Sequence, residues 1–309
     1  MNVLDNISDI SRNYYHYLFT HKNVKGVGVG YKFINGVETN ELCIHVFVER
    51  KVSEAYLTCN HIIPKTYMGI KTDVIEVGNF KASASSSGVS GKYRPLKGGC
   101  SIYTKGATLR GTLGCIVVRK HFPKDKHFIL SNNHILVDNN RLPLGTEVIQ
   151  PTLSEGGKFE TDVVAKLSEF KPIKFSLGIL KPKNFVDCAI AELTSSSLIS
   201  NEILHIGHLA GTSTPTLKAP VKKTGIKTGL TEGKITSIKV TMEVEFSSGR
   251  KALFSNQILA SLKSLSGDSG SIVVDENNKA IGLLFGSDTK GDSLINDINL
   301  VLKELKVNI

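Results

Sequence analysis

The chain has 309 residues, of which 40% are hydrophobic, 21% are charged and none is tryptophan. This apolar content is ample for a packed core, which excludes a wholly disordered chain. No apolar stretch reaches the roughly 18–20 residues that cross a bilayer, so a membrane partner is not expected. The first 26 residues show no secretory signal, and five scattered cysteines do not suit a disulfide scaffold. These features together predict a cytoplasmic protein.

The formal net charge of +10 is distributed unevenly along the chain. Residues 1–80 hold eight basic and eight acidic residues, so the whole excess lies beyond them. Basic residues occur there singly or in pairs, without the aromatic interleaving that single-stranded nucleic acid favours. The pattern therefore favours a solvated basic surface, and nucleic acid is not an expected partner.

The first 80 residues predict a small α+β module. Apolar side chains recur at helical spacing over residues 4–18, which predicts a short amphipathic helix. Two apolar strands, 24–34 and 41–48, flank an Asn-Gly pair at 35–36, and this pair favours the positive φ angles of a hairpin turn. A further strand at 72–77 would complete the module.

Residues 81–93 are predicted to be a linker. Its central stretch, 82–91 (ASASSSGVSG), offers only Val89 as a large apolar side chain, too little to offset chain entropy. The sequence leaves open whether the chain cleaves itself, and this stretch is the obvious exposed site for such a cut. The preceding module could position substrate, occlude a cleft or bind a regulatory protein partner, and the sequence leaves these three roles open.

The region 94–309 is predicted to be mainly β. Turn residues separate its short strands, and helical spacing appears only at 295–306. This pattern predicts a double β-barrel or a sandwich that ends in one helix. The predicted strands are 112–118, 127–131, 146–150, 161–166, 186–193, 233–246, 252–259, 271–275 and 280–285.

Three segments of this region carry side chains suited to nucleophilic catalysis. A serine hydroxyl needs a base to take its proton and a carboxylate to orient that base. It also needs two amide N–H groups aimed at the developing oxyanion, which a tight glycine-containing turn can supply. The segments are a strand ending in histidine, 128–136 (FILSNNHIL), a strand opened by aspartate, 186–193 (VDCAIAEL), and a serine in a glycine-rich turn, 266–274 (SGDSGSIVV).

These segments closely resemble the active-site motifs of chymotrypsin-like serine peptidases. Residues 221–233 also resemble the K-x-G-x-x-T-G-x-T-x-G hairpin of bacterial trypsin-like members, and 280–287 (AIGLLFGS) resemble the strand lining their substrate cleft. The resemblance covers about residues 94–305. It implies two six-stranded β-barrels with the active site between them, a protein or peptide substrate, and no cofactor or metal.

The resemblance also assigns roles by motif. It makes His134 the general base, Asp187 its orienting carboxylate and Ser269 the nucleophile, with Gly267 and Ser269 supplying the oxyanion hole. Peptide bonds would be cleaved through an acyl-enzyme. The sequence therefore predicts a serine endopeptidase, and the alternative is a catalytically silent interaction protein of the same fold.

Three positions depart from the family pattern. Asn132 and Asn133 stand where small residues usually precede the histidine, which could loosen or reshape that strand. Ser271 replaces the second glycine after the nucleophile. No activation site marks a new amino terminus that would pair with Asp268, so the sequence leaves the partner of this carboxylate open.

The substrate pocket is only weakly defined. Lys263 stands six residues before Ser269, where trypsin-like enzymes carry the aspartate that selects Lys or Arg. Cleavage after basic residues is therefore not expected, and a neutral or apolar pocket is favoured over one for acidic side chains. Phe285 and Gly286 are expected to line the pocket.

Other polar patterns favour structural roles. Cys-x-His pairs at 43–45 and 59–61 could each present two zinc ligands on a strand face, but their spacing matches no common zinc motif. The glycine run at 26–30 lacks the spacing of a dinucleotide motif. Asp138 and Asp162 are alternative carboxylates for the histidine.

Overall fold

The computed structural model describes residues 3–58, 61–82, 89–120 and 125–309. Cys59 of the second Cys-x-His pair and residues 83–88 of the predicted linker lie outside the described residues. The fold is mainly β, with a small α+β part at the amino end and a helix at the carboxyl end, as predicted. Among the described residues, none of the helices has the length and apolarity needed to cross a membrane.

The elements follow one another in three groups along the chain. The first group is α1 (Val3–Asn13), α2 (His16–Phe19), β1 (Val24–Ile34), β2 (Val37–Val48), β3 (Thr66–Tyr67), β4 (Ile70–Glu76) and β5 (Lys81–Ala82). The second is β6 (Ser101–Thr104), β7 (Gly111–Thr112), β8 (Cys115–Arg119), β9 (Lys126–Ser131), α3 (Asn133–Leu136), β10 (Glu147–Ile149), β11 (Val163–Phe170), β12 (Lys183–Asn184), β13 (Ala189–Leu193), β14 (Glu202–Ile203) and β15 (Gly207–His208). The third is β16 (Pro220–Gly225), β17 (Gly229–Phe246), β18 (Lys251–Ala260), β19 (Ile272–Val274), β20 (Ala280–Ser287), β21 (Ser293–Asp297) and α4 (Ile298–Leu305).

Two large sheets form most of the fold. A seven-stranded sheet has the order β7-β6-β10-β11-β13-β9-β8. In the other sheet, the run β18-β21-β20-β19-β16-β17 closes on itself through pairing of β17 with β18, which gives a six-stranded barrel. The first sheet has seven strands where the resemblance implied six, because residues 101–112 are divided between two short strands, β6 and β7.

The predicted amino-terminal hairpin is confirmed. Strands β1 and β2 pair antiparallel around Asn35 and Gly36, whose φ angles are +50° and +79°. The predicted helix over 4–18 is interrupted after Asn13. The interruption turns Tyr15 into the core (4% exposed) and leaves Tyr14 49% exposed, whereas the periodic pattern places Tyr14 on the buried face.

The amino-terminal module shares a sheet with the six-stranded barrel. Strand β1 pairs antiparallel with β17, with Gly26 opposite Met242. Helix α1 is tied to the same strand, because Ser11 Oγ donates to the Lys239 carbonyl (2.7 Å) and Thr241 Oγ1 donates to the Ser11 carbonyl (3.1 Å). The division into residues 1–80, 81–93 and 94–309 stays a prediction, and the packing is continuous across the first boundary.

The glycine run at the start of β1 serves this close packing. A Cβ on Gly26 would lie 2.6 Å from Met242 Sδ, and one on Gly28 would lie 2.9 Å from a methyl carbon of Val240. At Gly30 it would overlap the His45 ring. Small residues are therefore needed for β1 to approach its neighbours.

Candidate active site

His134 and Asp187 form a fully buried pair. The histidine lies on the short helix α3, which follows β9, and the aspartate lies two residues before the start of β13. His134 Nδ1 is 2.5 Å from Asp187 Oδ2, and the His134 backbone N–H donates to Asp187 Oδ1 (3.2 Å). The two residues meet because β9 and β13 are neighbours in the seven-stranded sheet. The carboxylate thus fixes both the ring orientation and the Nδ1–H tautomer.

The backbone of Asp187 is held from two sides. Asn132 Nδ2 donates to the Asp187 carbonyl (2.8 Å), and the Asp187 N–H donates to Asn296 Oδ1 (2.9 Å). Asn296 Nδ2 in turn donates to the Leu283 carbonyl on β20 (3.1 Å). The backbone of Asp187 is therefore hydrogen-bonded to residues next to β9 and in β21, which belong to different sheets. Sequence reasoning missed Asn296, whose only signal is an amide within the apolar strand β21.

The two asparagines before the histidine anchor the end of β9. Asn133 Nδ2 donates to the Lys171 carbonyl and to Asn140 Oδ1, both at 2.7 Å, and Asn133 Oδ1 accepts from the Asn140 N–H (3.1 Å). Asn132 and Asn133 are completely buried. Of the two effects that the sequence left open, loosening or reshaping of the strand, the structure shows added hydrogen bonds rather than loosening.

Ser269 lies in a turn packed against the end of β9. The Thr112 N–H donates to the Ser269 carbonyl (2.9 Å), and Ser131 Oγ donates to the Thr112 carbonyl (2.8 Å). Gly270 has φ of +97°, and a Cβ there would overlap the Thr112 carbonyl and Ser131 Oγ. This close fit places the serine turn beside the segment that leads into His134.

Two amide groups of this turn are available to a ligand. The N–H groups of Gly267 and Ser269 donate to no acceptor in the described part of the chain, whereas the intervening Asp268 N–H donates to the Leu265 carbonyl (2.9 Å). Gly267 has φ of +116°, a conformation that glycine adopts readily. Nε2 of His134 is also buried without a hydrogen-bond partner among the described residues. The structure thus brings His134 and Asp187 into hydrogen-bond contact, but it shows no hydrogen bond between Ser269 Oγ and His134 Nε2. Amide donors without an acceptor and an unpaired ring nitrogen are groups that an acyl-transfer site uses.

The buried partner of Asp268 is the ammonium group of Lys223. Its Nζ lies 3.3 Å from Asp268 Oδ2, and both side chains are completely buried. The same carboxylate accepts the N–H groups of Lys227 (2.7 Å), Thr228 (3.1 Å) and Leu265 (3.0 Å). Burial lowers the pKa of the Lys223 ammonium, and Asp268 opposes that shift. Lys223 belongs to the hairpin motif at 221–233, so this motif in the sequence could have identified the partner of Asp268.

The three residues expected to line the substrate pocket differ in solvent exposure. Lys263 is exposed, and its carbonyl accepts a hydrogen bond from Thr231 Oγ1 (2.9 Å). Phe285 is completely buried, with its ring centroid 4.8 Å from that of Phe254, so its side chain belongs to the core. Gly286 is buried beside it on β20.

The alternative carboxylates have other partners. Asp138 accepts from Thr108 and pairs with Arg141, and Asp162 pairs with Lys92 (2.6 Å). Burial raises the pKa of the thiols at positions 100 and 115 to about 12, and that of Cys188 well above its ordinary value. These thiols stay protonated near neutral pH, which makes them poor nucleophiles.

The Cys-x-His pair in β2 lies near a carboxylate. The ligand atoms of Cys43, His45 and Asp73 are within 4.8 Å of one another. Both ring nitrogens of His45 are already engaged, by Ser237 Oγ (2.8 Å) and the Tyr31 carbonyl (2.9 Å). The geometry therefore favours a packed core histidine over a metal ligand.

Comparisons with known proteins agree with this architecture. A glutamic acid specific serine protease that utilizes a histidine triad in substrate binding aligns with a TM-score of 0.51 and 19% identity, over 69% of this chain and 100% of its own. The fold is that of chymotrypsin-like serine proteases. Protease A of Thermobifida fusca aligns with a TM-score of 0.49 and 17% identity, over 69% of this chain and 97% of its own. Chymotrypsin of Cellulomonas bogoriensis aligns with a TM-score of 0.48 and 17% identity, with the same coverage.

The amino-terminal module has a separate match. Residues 9–77 match the family model of the NARROW LEAF 1 N-terminal domain. No curated protein matches the chain. The matched segment contains α2 and strands β1–β4, and these four strands extend the sheet of the six-stranded barrel.

Proposed function

We propose that the protein is a serine endopeptidase that hydrolyses peptide bonds through an acyl-enzyme. The observation that carries the proposal is the buried His134–Asp187 pair, whose Nε2 has no hydrogen-bond partner among the described residues. The Ser269 turn, with its two undonated amides, packs against the end of the strand that leads into His134. The chymotrypsin-like fold supports it. A regulatory protein partner for residues 1–80 stays a prediction.

In the first half of the reaction, Ser269 Oγ attacks the carbonyl carbon of the scissile bond while His134 Nε2 takes the hydroxyl proton. Asp187 holds the ring and stabilises the imidazolium that forms. The Gly267 and Ser269 amides donate to the oxyanion of the tetrahedral intermediate. When that intermediate collapses, the C–N bond breaks and His134 returns the proton to the departing amine.

In the second half, water replaces the amine. His134 removes a proton from water as its oxygen attacks the acyl carbon, and it then protonates Ser269 Oγ as the ester bond breaks. The products are a carboxylic acid and the regenerated serine. Every proton in this scheme passes through one nitrogen, His134 Nε2, and for that reason its freedom from other hydrogen bonds matters.

A neutral or apolar residue before the scissile bond is part of the proposal. The exposed ammonium of Lys263 does not supply the buried negative charge that attracts Lys or Arg. Mass spectrometry of a cleaved peptide library tests this preference. Cleavage mainly after Lys or Arg would contradict it.

Labelling with a fluorophosphonate tests the proposed site. The reagent phosphonylates a serine that has a base and an oxyanion hole, so we expect labelling that Ser269→Ala and His134→Ala lower by about 10³-fold or more. Ser266→Ala removes a hydroxyl three residues away in the same turn and serves as the matched control. Equal labelling of wild type and Ser269→Ala would exclude Ser269 as the nucleophile. A properly folded site that never labels would favour the silent interaction protein.

A further inference from the structure

The chain just after the amino-terminal module enters the sheet of the six-stranded barrel. Strand β5 lies between β17 and β20: Lys81 pairs antiparallel with Ser287 and parallel with Glu245, and Ala82 lies opposite Phe246. The segment therefore occupies a strand position between the carboxyl ends of β17 and β20. Sequence analysis placed this segment in a linker, and its pairing was not foreseen.

Side-chain and backbone contacts hold this segment in place. Phe80 is only 3% exposed and packs in a hydrophobic cluster that also contains Phe246 and Phe285. The Phe80 carbonyl accepts from the Glu245 N–H (3.2 Å), and the Gly78 N–H donates to the Asp288 carboxylate (2.8 Å). A buried ring and hydrogen bonds at both of its ends dock the segment.

The direction of β5 leads toward the candidate site. Residue 284 of β20 exchanges hydrogen bonds with the chain beside the nucleophile: Gly270 N–H donates to its carbonyl and its N–H donates to the Ser271 carbonyl, both at 2.9 Å. Because β5 runs antiparallel to β20, the step from Lys81 to Ala82 leads from Ser287 toward residue 284. On the other side, Ala82 lies opposite Phe246, whose ring centroid is 5.9 Å from that of His134.

A peptide substrate needs such a strand edge. An extended peptide binds most readily by adding a strand to an exposed sheet edge, with main-chain hydrogen bonds providing affinity. The carboxyl end of β20 is the edge that continues from the nucleophile turn, and β5 is already paired there. A peptide that bound as a strand along this end of β20 would need the hydrogen-bonding groups of Ser287 that face β5.

We infer that residues 79–82 take the place of the substrate strand and hold the proposed peptidase in a latent state. This inference rests on the proposed function and selects occlusion from the three roles open to the module. The module stays attached through β1 and β17, so opening requires only the local release of a short strand. A stronger-pairing peptide would displace it, and the enzyme would turn over.

A proline substitution tests the inference at the pairing itself. Lys81→Pro removes the N–H of the paired residue and fixes its φ, whereas Lys81→Ala keeps the backbone able to pair. Loss of one such hydrogen bond shifts the docking equilibrium by about tenfold. We expect the fluorophosphonate rate and the peptide cleavage rate to rise about tenfold in Lys81→Pro and to stay within about twofold of wild type in Lys81→Ala. Phe80→Ala should also raise both rates, because it removes the buried anchor.

The outcomes separate this inference from the proposed function. Unfolding can only lower Ser269 labelling, so faster labelling of the proline variant is not explained by a damaged fold. Equal or slower labelling of both Lys81→Pro and Phe80→Ala, with wild type labelled at Ser269, would overturn the latent state and leave the peptidase proposal intact. Failure of every variant to label, with native circular dichroism, would overturn the peptidase proposal and the inference with it.

Discussion

Lys223→Met would remove the cation that faces Asp268 inside the protein. Methionine fills much of the space of the lysine stem, so the change removes the ammonium and its hydrogen bonds to Asp268, Thr228 Oγ1 and the Gly229 carbonyl while keeping most of the buried volume. Both partners are completely buried at a separation of 3.3 Å. The carboxylate would then stay in the interior without a neutralising charge, next to the turn that carries Ser269.

The expected cost follows from the remaining contacts. Removing one partner of a buried ion pair costs about 3–5 kcal/mol. Asp268 keeps three backbone donors, at 2.7, 3.0 and 3.1 Å, so we expect the lower end, about 3 kcal/mol. Against a total stability of about 5–15 kcal/mol, the variant should fold with a clearly lower urea midpoint.

A double-mutant cycle checks the cause of this loss. The chain has no tryptophan, so far-UV circular dichroism in urea is the assay. The combined Lys223→Met/Asp268→Asn variant should be more stable than the sum of the single losses by about 1–3 kcal/mol. Additive losses would mean that the two groups do not interact, and the reasoning would be refuted. Slower fluorophosphonate labelling of Lys223→Met should accompany the loss, because Asp268 holds the turn of the oxyanion amides.

Three further predictions concern positions around the site. Burial, with a smaller contribution from Asp288, raises the pKa of Asp292 to about 6, so the free energy of unfolding should fall as pH rises from about 4 through 6. In urea titrations, Asp292→Asn should therefore add about 1–2 kcal/mol of stability at pH 8 and much less at pH 4. Gly270→Ala places a methyl against the Thr112 carbonyl at φ of +97° and should cost more than about 3 kcal/mol; a variant with unchanged melting temperature would contradict the packing. Asn296→Ala removes a hydrogen bond to the Asp187 backbone and should slow labelling about tenfold while costing about 1–2 kcal/mol, and unaltered labelling would mean that Asn296 does not position the carboxylate.

Local signals in the sequence predict much of the fold. The hairpin around Asn35-Gly36 is fixed by two turn residues that tolerate positive φ, and the structure confirms it. The motif around His134 follows β9 and the motif around Asp187 precedes β13, and these two strands are neighbours in one sheet although three strands separate them in the chain. Their assignment to chemical roles stays a prediction until a reaction is measured.

Non-local packing accounts for what the sequence did not reveal. Pairing of β1 with β17 joins residues more than 200 positions apart, and no local pattern encodes it. Strand β5 is two residues long and enters a serine-rich stretch, so no apolar alternation marks it. Helical periodicity places Tyr14 on the buried face of one continuous helix. In the structure the helix ends at Asn13, and Tyr15 instead of Tyr14 packs into the core formed with α1 and β1.

Peptide hydrolysis in H₂¹⁸O tests the central claim most directly. A peptide library is incubated with Lys81→Pro and with the Lys81→Pro/Ser269→Ala double variant, and new carboxyl termini are read by mass spectrometry. Hydrolysis of an acyl-enzyme places ¹⁸O in each new carboxyl group, so we expect labelled termini from the first protein and none from the second. Equal cleavage by both proteins, or no cleavage by a folded Lys81→Pro protein, would contradict the account.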